Sequence, residues 1–284
     1  MTEFTIKDDD LTSLKGKVVV LTGGSSGIGL AVVDLLLSLG ALVVSGDIQS
    51  PPSSDKPNFS FVKTNVTSWA DLTALLKKAK EEHGRIDSVF ANAGIGPRAN
   101  YLVLETDESG ELKEPNHETV EVNLKSVMNT ACLAAHYLKQ QPEGGSIVLM
   151  GSSTGLQPLR APDYSTAKHG VLGFGRGYAR VIEAAGLPIR LNTLMPSWTS
   201  TQVLPDVAGI MKAVSHQSQS PEVVARATAY LMADSSRHGE AIYVSDGKYK
   251  EIEKSILYPA YETIRGDGNP SDDEILARIF ALGA

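Results

Sequence analysis

Short runs of β-branched residues alternate with helix-forming segments from residue 17 to about residue 245. In the helical segments apolar residues recur every three or four positions, and one such segment opens with the capping residue Ser68 and ends at Gly84. Strands that alternate with helices join through right-handed crossovers, so they pair in parallel and helices cover both faces of the sheet. The sequence therefore predicts a single α/β domain with a doubly wound parallel sheet of about seven strands. The strand-like runs are KVVVLTG, ALVVSGD, FSFVKTNV, RIDSVFANAG, GGSIVLMGSS, LPIRLNTLMP and EAIYVSDG.

Charge and cysteine usage exclude several classes of protein. The formal net charge is −7 and no cluster of Lys or Arg is present, which argues against nucleic acid or an anionic membrane surface as a partner. Cys132 is the single cysteine, so no intrachain disulfide can form, and we expect a cytoplasmic protein in a reducing compartment. No run is apolar for long enough to span a bilayer, and the acidic start MTEFTIKDDD lacks the apolar centre of a secretory signal. The six histidines show no metal-ligand spacing, so no metal site is expected.

A glycine-rich loop, LTGGSSGIG, follows the first strand directly and opens the first helix. Gly23 permits a tight turn, Gly27 lets the backbone approach a phosphate, and Gly29 allows the helix to pack closely on the strand. Free N–H groups and the positive end of the helix dipole would then face a pyrophosphate. This context of strand, loop and helix predicts a Rossmann fold that binds a dinucleotide, with Ser25, Ser26 and Ile28 as further loop contacts.

Asp47 ends the second strand, twenty residues after Gly27, where its carboxylate can accept both ribose hydroxyls of the adenosine half. A 2′-phosphate would meet this negative charge at short range. No Arg or Lys adjoins Asp47 in SGDIQS or lies in the glycine loop to compensate. The sequence therefore favours NAD over NADP, with Ile48 beside the same site.

A tyrosine and a lysine lie four positions apart in PDYSTAKHG, so Tyr164 and Lys168 share one face of a helix. A cation close to the phenol favours phenolate, and a positively charged oxidised nicotinamide would add to that effect. Tyr164 could then take the hydroxyl proton of an alcohol as hydride leaves its carbon, while Ser152 in GSSTG holds the substrate oxygen.

Two other assignments compete with this one. Ser153 adjoins Ser152 and is the alternative for the catalytic serine. A nucleophilic triad of Ser152, His169 and Asp163 is disfavoured, because adjacent helix positions diverge by about 100 degrees and turn His169 away from the face of Lys168.

Four motifs together resemble the short-chain dehydrogenase/reductase family over roughly residues 15 to 247. They are TGGSSGIG, NAG at Asn92 to Gly94, VNL at Val122 to Leu124, and YSTAK. The resemblance implies that Tyr164 is the acid/base and that Lys168 lowers the pKa of Tyr164 and binds the nicotinamide ribose. It also implies that Ser152 orients the substrate and that Asn123 supports a proton relay through water.

The same resemblance implies further cofactor contacts. Asn65 and Val66 would flank the adenine, and the turn of Asn92, Ala93 and Gly94 would border the cofactor. The proline that follows the sixth strand is Pro196, and Thr199 and Thr201 after it would approach the nicotinamide carboxamide. Ser197 stands where the family has Gly, which is a departure in local loop geometry.

The resemblance also bears on organisation and substrate. We expect an N-terminal extension over residues 1–14, a dinucleotide-binding catalytic domain over 15–247, and a tail over 248–284 that covers the substrate site or a subunit interface. The helices His117 to Gln141 and Tyr164 to Glu183 carry many small residues, and the family pairs these helices between subunits, so a homodimer or homotetramer is expected. STAKHGVLGF and SDGKYKEIE are similar to members around 15-hydroxyprostaglandin dehydrogenase and to fungal secondary-metabolite enzymes.

The expected activity is an NAD-dependent interconversion of a secondary alcohol and a ketone, with a bulky lipophilic small-molecule substrate. The alternative is a cofactor-binding isomerase, cyclase or sensing scaffold without net redox turnover. Its usual mark in a sequence is the loss of a catalytic residue.

Overall fold

A β-sheet forms the centre of the molecule, seen here in a computed structural model that describes residues 2–201, 209, 211, 213–215 and 217–282. The strands of the described residues are β1 (Glu3–Phe4), β2 (Val18–Thr22), β3 (Leu42–Asp47), β4 (Phe59–Lys63), β5 (Ser88–Ala91), β6 (Gly145–Met150), β7 (Ile189–Pro196), β8 (Ala241–Ser245) and β9 (Lys248–Glu251). They pair in the order β1-β9-β8-β7-β6-β5-β2-β3-β4. All the pairings from β4 to β8 are parallel, and these seven strands coincide with the seven predicted runs. The predicted doubly wound α/β sheet is confirmed.

Helices cover both faces of the sheet. Along a strand, successive side chains enter different cores: Val20 packs with one cluster of buried residues and Leu21 with the other. The first core also takes the buried faces of α2, α4 and α5, and the second takes those of α1 and α6. The helices of the described residues are α1 (Gly27–Ser38), α2 (Trp69–His83), α3 (Glu118–Val120), α4 (Ser126–Leu138), α5 (Pro162–Ala184), α6 (Pro221–Ala233), α7 (Tyr258–Arg265) and α8 (Asp272–Ala281).

The predicted ends of α2 are confirmed by its capping geometry. The Ser68 hydroxyl accepts the N–H of Asp71 at 3.2 Å, which satisfies one free donor of the first turn. Gly84 ends the helix with φ of +73°, a left-handed conformation that glycine adopts without steric cost.

Two strands at one edge of the sheet go beyond the predicted seven. Asp246 and Gly247, both at positive φ, form the tight turn that returns the chain from β8 to an antiparallel β9, and β1 pairs with β9. The Phe4 ring of β1 is covered by the Arg237 guanidinium, 4.3 Å from its centroid. The first strand is two residues long, so its sequence carries no periodic signal, and the segments before and after the central domain meet at this edge.

The C-terminal segment continues from β9 through a π-helical turn (Glu253–Leu257) into α7 and α8. Two ion pairs hold it to α5, one from Arg176 to Glu253 at 2.8 Å and one from Arg180 to Asp273 at 3.0 Å. The predicted cover over a substrate site or subunit interface stays a prediction. Among the described residues, no helix combines the length and apolar character needed to cross a membrane.

Leu149 tests the packing of the central sheet. It is fully buried in β6, so Leu149→Ala should lower the free energy of unfolding in urea by about 2 to 5 kcal/mol through lost burial and the cavity left behind. Leu102→Ala removes the same atoms from a side chain that is 96% exposed, and should change stability by less than about 0.5 kcal/mol. Equal losses in the two variants would contradict this description of the core.

Candidate active site

A crevice opens where the order of the strands reverses. Strands β2 and β5 are neighbours in the sheet. After β2 the chain continues through β3 and β4 on one side of β2, and it then crosses to β5 on the other side. Loops that follow these strands therefore diverge at their carboxyl ends, which is where ligands bind in sheets of this kind. The Asn92 amide spans the gap, donating to the carbonyl oxygens of Thr22 at 2.9 Å and Gly23 at 3.0 Å.

The glycine loop leaves no room for side chains at its key positions. Gly23 has φ of +71°, and a Cβ there would lie 2.8 Å from the Cα of Ala93. A Cβ on Gly29 would collide with the carbonyl oxygen of Gly23, and one on Gly27 would lie 3.2 Å from Thr201. This geometry requires glycine at the turn of Gly23 and at the close approach of Gly29 to the loop, while the predicted contacts of these glycines with a cofactor stay a prediction.

The N-terminus of α1 is suited to an anion. Ser26 is its N-cap residue, yet the Ser26 side chain makes no capping hydrogen bond. The Ser25 hydroxyl turns away and donates to the carbonyl of Gln49 at 2.7 Å. The first N–H groups of the helix, beginning at Gly27 and Ile28, therefore face the crevice without a capping side chain, as a bound pyrophosphate requires.

Asp47 lies at the end of β3 beside this loop. One carboxylate oxygen accepts the N–H of Ser25 at 3.0 Å and the other accepts the N–H of Gln49 at 3.0 Å. Each oxygen keeps a further lone pair for a ribose hydroxyl. Ile48 follows with an exposed side chain. Across the β3–β4 pair, Lys63 stands opposite Asp47, a neighbour that only the strand register reveals.

Asn65 and Val66 follow β4 at the same edge of the sheet. The Asn65 side-chain oxygen accepts the N–H and hydroxyl of Thr67, and Val66 is buried. After β5, the backbone N–H groups of Asn92 and Ala93 both donate to the Thr22 hydroxyl at 3.1 Å. Sequence reasoning missed Thr22, although its place just before the glycine loop was a usable signal. The adjacent Gly94 is exposed.

Tyr164, Lys168 and Ser152 come together at the carboxyl end of β6. Lys168 is buried, donates to the carbonyl of Met150 at 2.9 Å, and places its ammonium 5.7 Å from the centre of the Tyr164 ring. Burial raises the pKa of the Tyr164 phenol, and a hydrogen bond with Ser152 opposes that rise. Burial alone lowers the pKa of Lys168 to about 8. The lysine that was expected to lower the pKa of Tyr164 is thus itself destabilised as a cation, and in the protein alone burial of the phenol is the larger effect.

The structure distinguishes the two serines. Ser152 is buried, caps the short 3₁₀ turn that follows β6 and reaches Tyr164, and its hydroxyl also contacts the Thr154 hydroxyl at 3.1 Å. Ser153 is half-buried. Thr154, which sequence reasoning did not single out, accompanies Ser152 through the spacing of a capped turn.

Asn123 lies in a π-helical turn (Glu121–Lys125) between α3 and α4, a local widening of the helix that often marks functional positions. Its side chain is fully buried and both accepts from the N–H and donates to the carbonyl of Ile95, each at 2.8 Å. Asn123 thus fixes the chain that leaves β5 beside Gly94.

His169 is exposed and bonds the carbonyl of Ser165 at 2.9 Å through its Nδ1, so it does not face Ser152. Asp163 instead accepts backbone N–H groups from another loop. Among the described residues, no three His, Cys, Asp or Glu side chains cluster as metal ligands would.

The segment after β7 borders the other side of the crevice. Pro196 ends the strand, the Thr199 hydroxyl donates to the carbonyl of Ser197 at 2.9 Å, and Gln219 reaches Thr199 at 3.2 Å. Thr201 contacts the Cβ position of Gly27. Trp198 is exposed and Met211 is buried.

Comparisons with known proteins agree with this geometry. A family model described as short chain dehydrogenase matches residues 17–209. A protein of Acremonium egyptiacum named short-chain dehydrogenase/reductase ascJ is 50% identical, over 99% of this chain and 96% of that protein. Human 15-hydroxyprostaglandin dehydrogenase [NAD(+)] is 29% identical, over 68% of this chain and 72% of its own length. The ligand-free structure of aldohexose dehydrogenase (AldT) from Thermoplasma acidophilum superposes with a TM-score of 0.70, at 24% identity, over 82% of this chain and 93% of that one.

Lys168→Met tests the cost of burying the ammonium. The pKa of Lys168 falls from its ordinary 10.5 to about 8 on folding, so below pH 8 the charged form is disfavoured in the folded state and the penalty is fully present. Between pH 8 and 10.5 the unfolded chain binds more protons, and the parent protein gains stability relative to the variant. The difference in unfolding free energy should therefore change by about 2 to 3 kcal/mol between pH 7 and pH 10, measured in urea. Parallel pH profiles would contradict the shift.

Proposed function

The chain belongs to the short-chain dehydrogenase/reductase family, and we propose that it is an NAD-dependent oxidoreductase that interconverts a secondary alcohol and a ketone by hydride transfer. The observation that carries this proposal is the hydrogen bond between the Tyr164 phenol and Ser152, together with the buried Lys168 ammonium 5.7 Å from the centre of the Tyr164 ring. A phenol with a hydroxyl partner and a cation nearby is equipped to exchange a proton with a substrate oxygen.

Bound NAD would supply the hydride acceptor at the nicotinamide ring. The uncapped start of α1 would hold its pyrophosphate, and Lys168 would hold the nicotinamide ribose. Asn65, Val66 and the Asn92–Gly94 turn would border the adenosine side, and Pro196, Thr199 and Thr201 the nicotinamide side.

The protein's own residues then divide the work of proton transfer. The Ser152 hydroxyl donates to the substrate oxygen and keeps it within reach of the Tyr164 Oη. In the oxidation direction Tyr164 accepts the alcohol proton at Oη, and in reduction it returns that proton to the carbonyl oxygen. Asn123 is not free to touch substrate with its side chain, because both of its polar atoms are bonded to Ile95. We assign it the support of the relay through the backbone that it fixes.

Burial sets the condition under which Tyr164 acts as a base. Burial raises the pKa of the phenol in the protein alone, which favours the protonated form at Tyr164 Oη. The Lys168 ammonium favours phenolate, and the positive charge of bound oxidised NAD would add to that effect.

Asp47 supports the assignment of NAD. Its carboxylate is fixed at the end of β3 by two backbone donors, so it cannot swing away from a 2′-phosphate. The human relative is named 15-hydroxyprostaglandin dehydrogenase [NAD(+)], which agrees with this choice. Lys63 across the strand pair is the one observation in the opposite direction, because an ammonium there could neutralise a phosphate.

We propose a bulky lipophilic secondary-metabolite or lipid-like alcohol or ketone as substrate, and the similarity to the human protein named 15-hydroxyprostaglandin dehydrogenase [NAD(+)] supports a lipid-like one. We also propose a cytoplasmic homodimer or homotetramer that pairs through α4 and α5, which carry the small residues noted in the sequence. The single Cys132 accords with a reducing compartment.

Replacing Tyr164 by Phe removes the proton acceptor and leaves the ring. Reduction of NAD with a panel of lipophilic secondary alcohols, followed at the nicotinamide absorbance, should fall by about 10²- to 10⁴-fold in kcat. NADH binding, measured by fluorescence, should persist. Ser153→Ala is the matched control beside the site and should retain activity. Retained turnover in Tyr164→Phe would refute the assignment of the base, and conversion to an isomer without net cofactor change would favour the non-redox alternative.

Asp47→Ser tests cofactor choice. Two like charges about 4 Å apart near a protein surface repel by about 1 to 4 kcal/mol, so this variant should lose about tenfold or more of the ratio of kcat/KM for NAD over NADP. Lys63→Gln is the matched control and should leave NAD preferred. A parent enzyme that uses NADP alone, and loses it in Lys63→Gln, would show that Lys63 rather than Asp47 determines the cofactor.

A further inference from the structure

Asp163 is a buried carboxylate whose hydrogen bonds have no place in the mechanism above. It lies in the first turn of α5, next to Tyr164, and is only 1% exposed. One oxygen accepts the N–H of Arg98 at 2.7 Å and the N–H of Ala99 at 3.2 Å, and the other accepts the N–H of Tyr164 at 2.8 Å. Burial raises the pKa of Asp163, but these donors, with a hydrogen bond from the Thr119 hydroxyl, outweigh burial and hold that pKa below its usual range.

We propose that Asp163 is a positioning residue, which fixes the loop after β5 against the catalytic helix and so sets the wall of the substrate site beside Tyr164. The proposal rests on the proposed function for its effect on substrate, while the anchoring itself does not. The three backbone N–H groups that Asp163 accepts come from two separate segments, so one carboxylate couples the position of Tyr164 to the position of the loop.

The root of the loop, residues 95–99, contains no helix or strand and is held at two points. Asn123 holds Ile95 by both its N–H and its carbonyl, and Asp163 holds Arg98 and Ala99 three residues later. The Thr119 hydroxyl, which bonds Asp163, also approaches the carbonyl of Gly96 at 3.3 Å. Side chains of α3, the π-helical turn and α5 therefore converge on five consecutive residues.

The part of the loop beyond this root is apolar and then turns back on itself. Tyr101 to Leu104 form an apolar run in which every side chain is exposed, from 40% at Tyr101 to 96% at Leu102. The next residues fold into a small arm closed by a bridge between Thr106 and Leu112, whose turn is organised by the Asp107 carboxylate. An apolar run that begins two residues after the Asp163 anchor is placed to contact a lipophilic substrate held at Tyr164.

Position 163 needs a carboxylate, and another polar side chain would not serve. All the backbone groups that face it are donors, and a carboxylate accepts at both oxygens. In Asp163→Asn one oxygen becomes an NH₂ group, which would face an N–H donor with another donor. The variant keeps size and shape, so it separates the hydrogen bonds from packing.

Trypsin provides a measurement that needs no substrate. The Arg98–Ala99 peptide bond joins the two residues anchored by Asp163, so cleavage after Arg98 should rise by about tenfold or more in Asp163→Asn, because opening of the loop no longer breaks charge-assisted hydrogen bonds. Cleavage after Lys113, in the arm, serves as the internal reference. Asp107→Asn is the matched control: it also removes a carboxylate that accepts backbone N–H groups in this loop, and it should leave cleavage after Arg98 unchanged.

Steady-state kinetics separate a positioning role of Asp163 from a purely structural role. In Asp163→Asn, KM for a lipophilic secondary alcohol should rise about tenfold or more, with a smaller change in kcat and no change in NADH affinity by fluorescence. Thr119→Val, which removes one donor to Asp163, should shift both readouts in the same direction by less, so the test holds if the first variant does not fold.

The outcomes are distinct. Unchanged cleavage after Arg98 would overturn the anchoring and with it the proposal. Faster cleavage with unchanged KM would overturn the positioning role. A parent protein that reduces neither NAD nor NADP would instead refute the proposed function, and the proteolysis result would still decide whether Asp163 anchors the loop.

Discussion

The reversal of strand order between β2 and β5 is the constraint on which the rest of this structure depends. A parallel sheet can only be wound in both directions from one point, and at that point two loops must leave in opposite directions. The crevice is therefore a consequence of topology, before any catalytic residue is considered. Asn92 and Thr22 bond across it, which prevents the two loops from separating and keeps the glycine turn in contact with the chain after β5.

Burial of the Lys168 ammonium lowers the stability of the folded protein. An ammonium buried with one carbonyl as its hydrogen-bond partner is held against a desolvation cost, and its lowered pKa records that cost. The surrounding sheet supplies the compensation, because Ile147, Val148 and Leu149 of β6 are fully buried. A protein under selection for stability alone would place an apolar residue here. The ammonium lies beside Tyr164, where its charge favours the phenolate form of that side chain.

Much of the fold and the chemical core of the site could be predicted because each depends on short-range signals. The spacing of apolar residues, the capping Ser68 and the terminal Gly84 predict the position of α2. The helical repeat places Tyr164 and Lys168, four residues apart, on one face of α5. The two extra strands could not be predicted in this way. Strand β1 is too short to have a period, and its partner β9 follows β8 after an Asp-Gly turn, where the sequence pattern predicts the end of the domain. Lys63 escaped notice because its nearness to Asp47 depends on strand register, which no local pattern encodes.

The residues that organise the loop after β5 illustrate a deeper limit. Asn123 and Asp163 are remote in sequence from the backbone groups they hold, by 28 residues for Ile95 and by 65 for Arg98. Neither Ile95 nor Arg98 contributes a side chain to these bonds, so nothing in the residue types of the loop signals its anchors. The loop can therefore vary in length and apolar character beyond its root while the root stays fixed by side chains on the rigid elements. Such a division lets one scaffold keep its proton-transfer residues in place and change the surface that it presents to substrate.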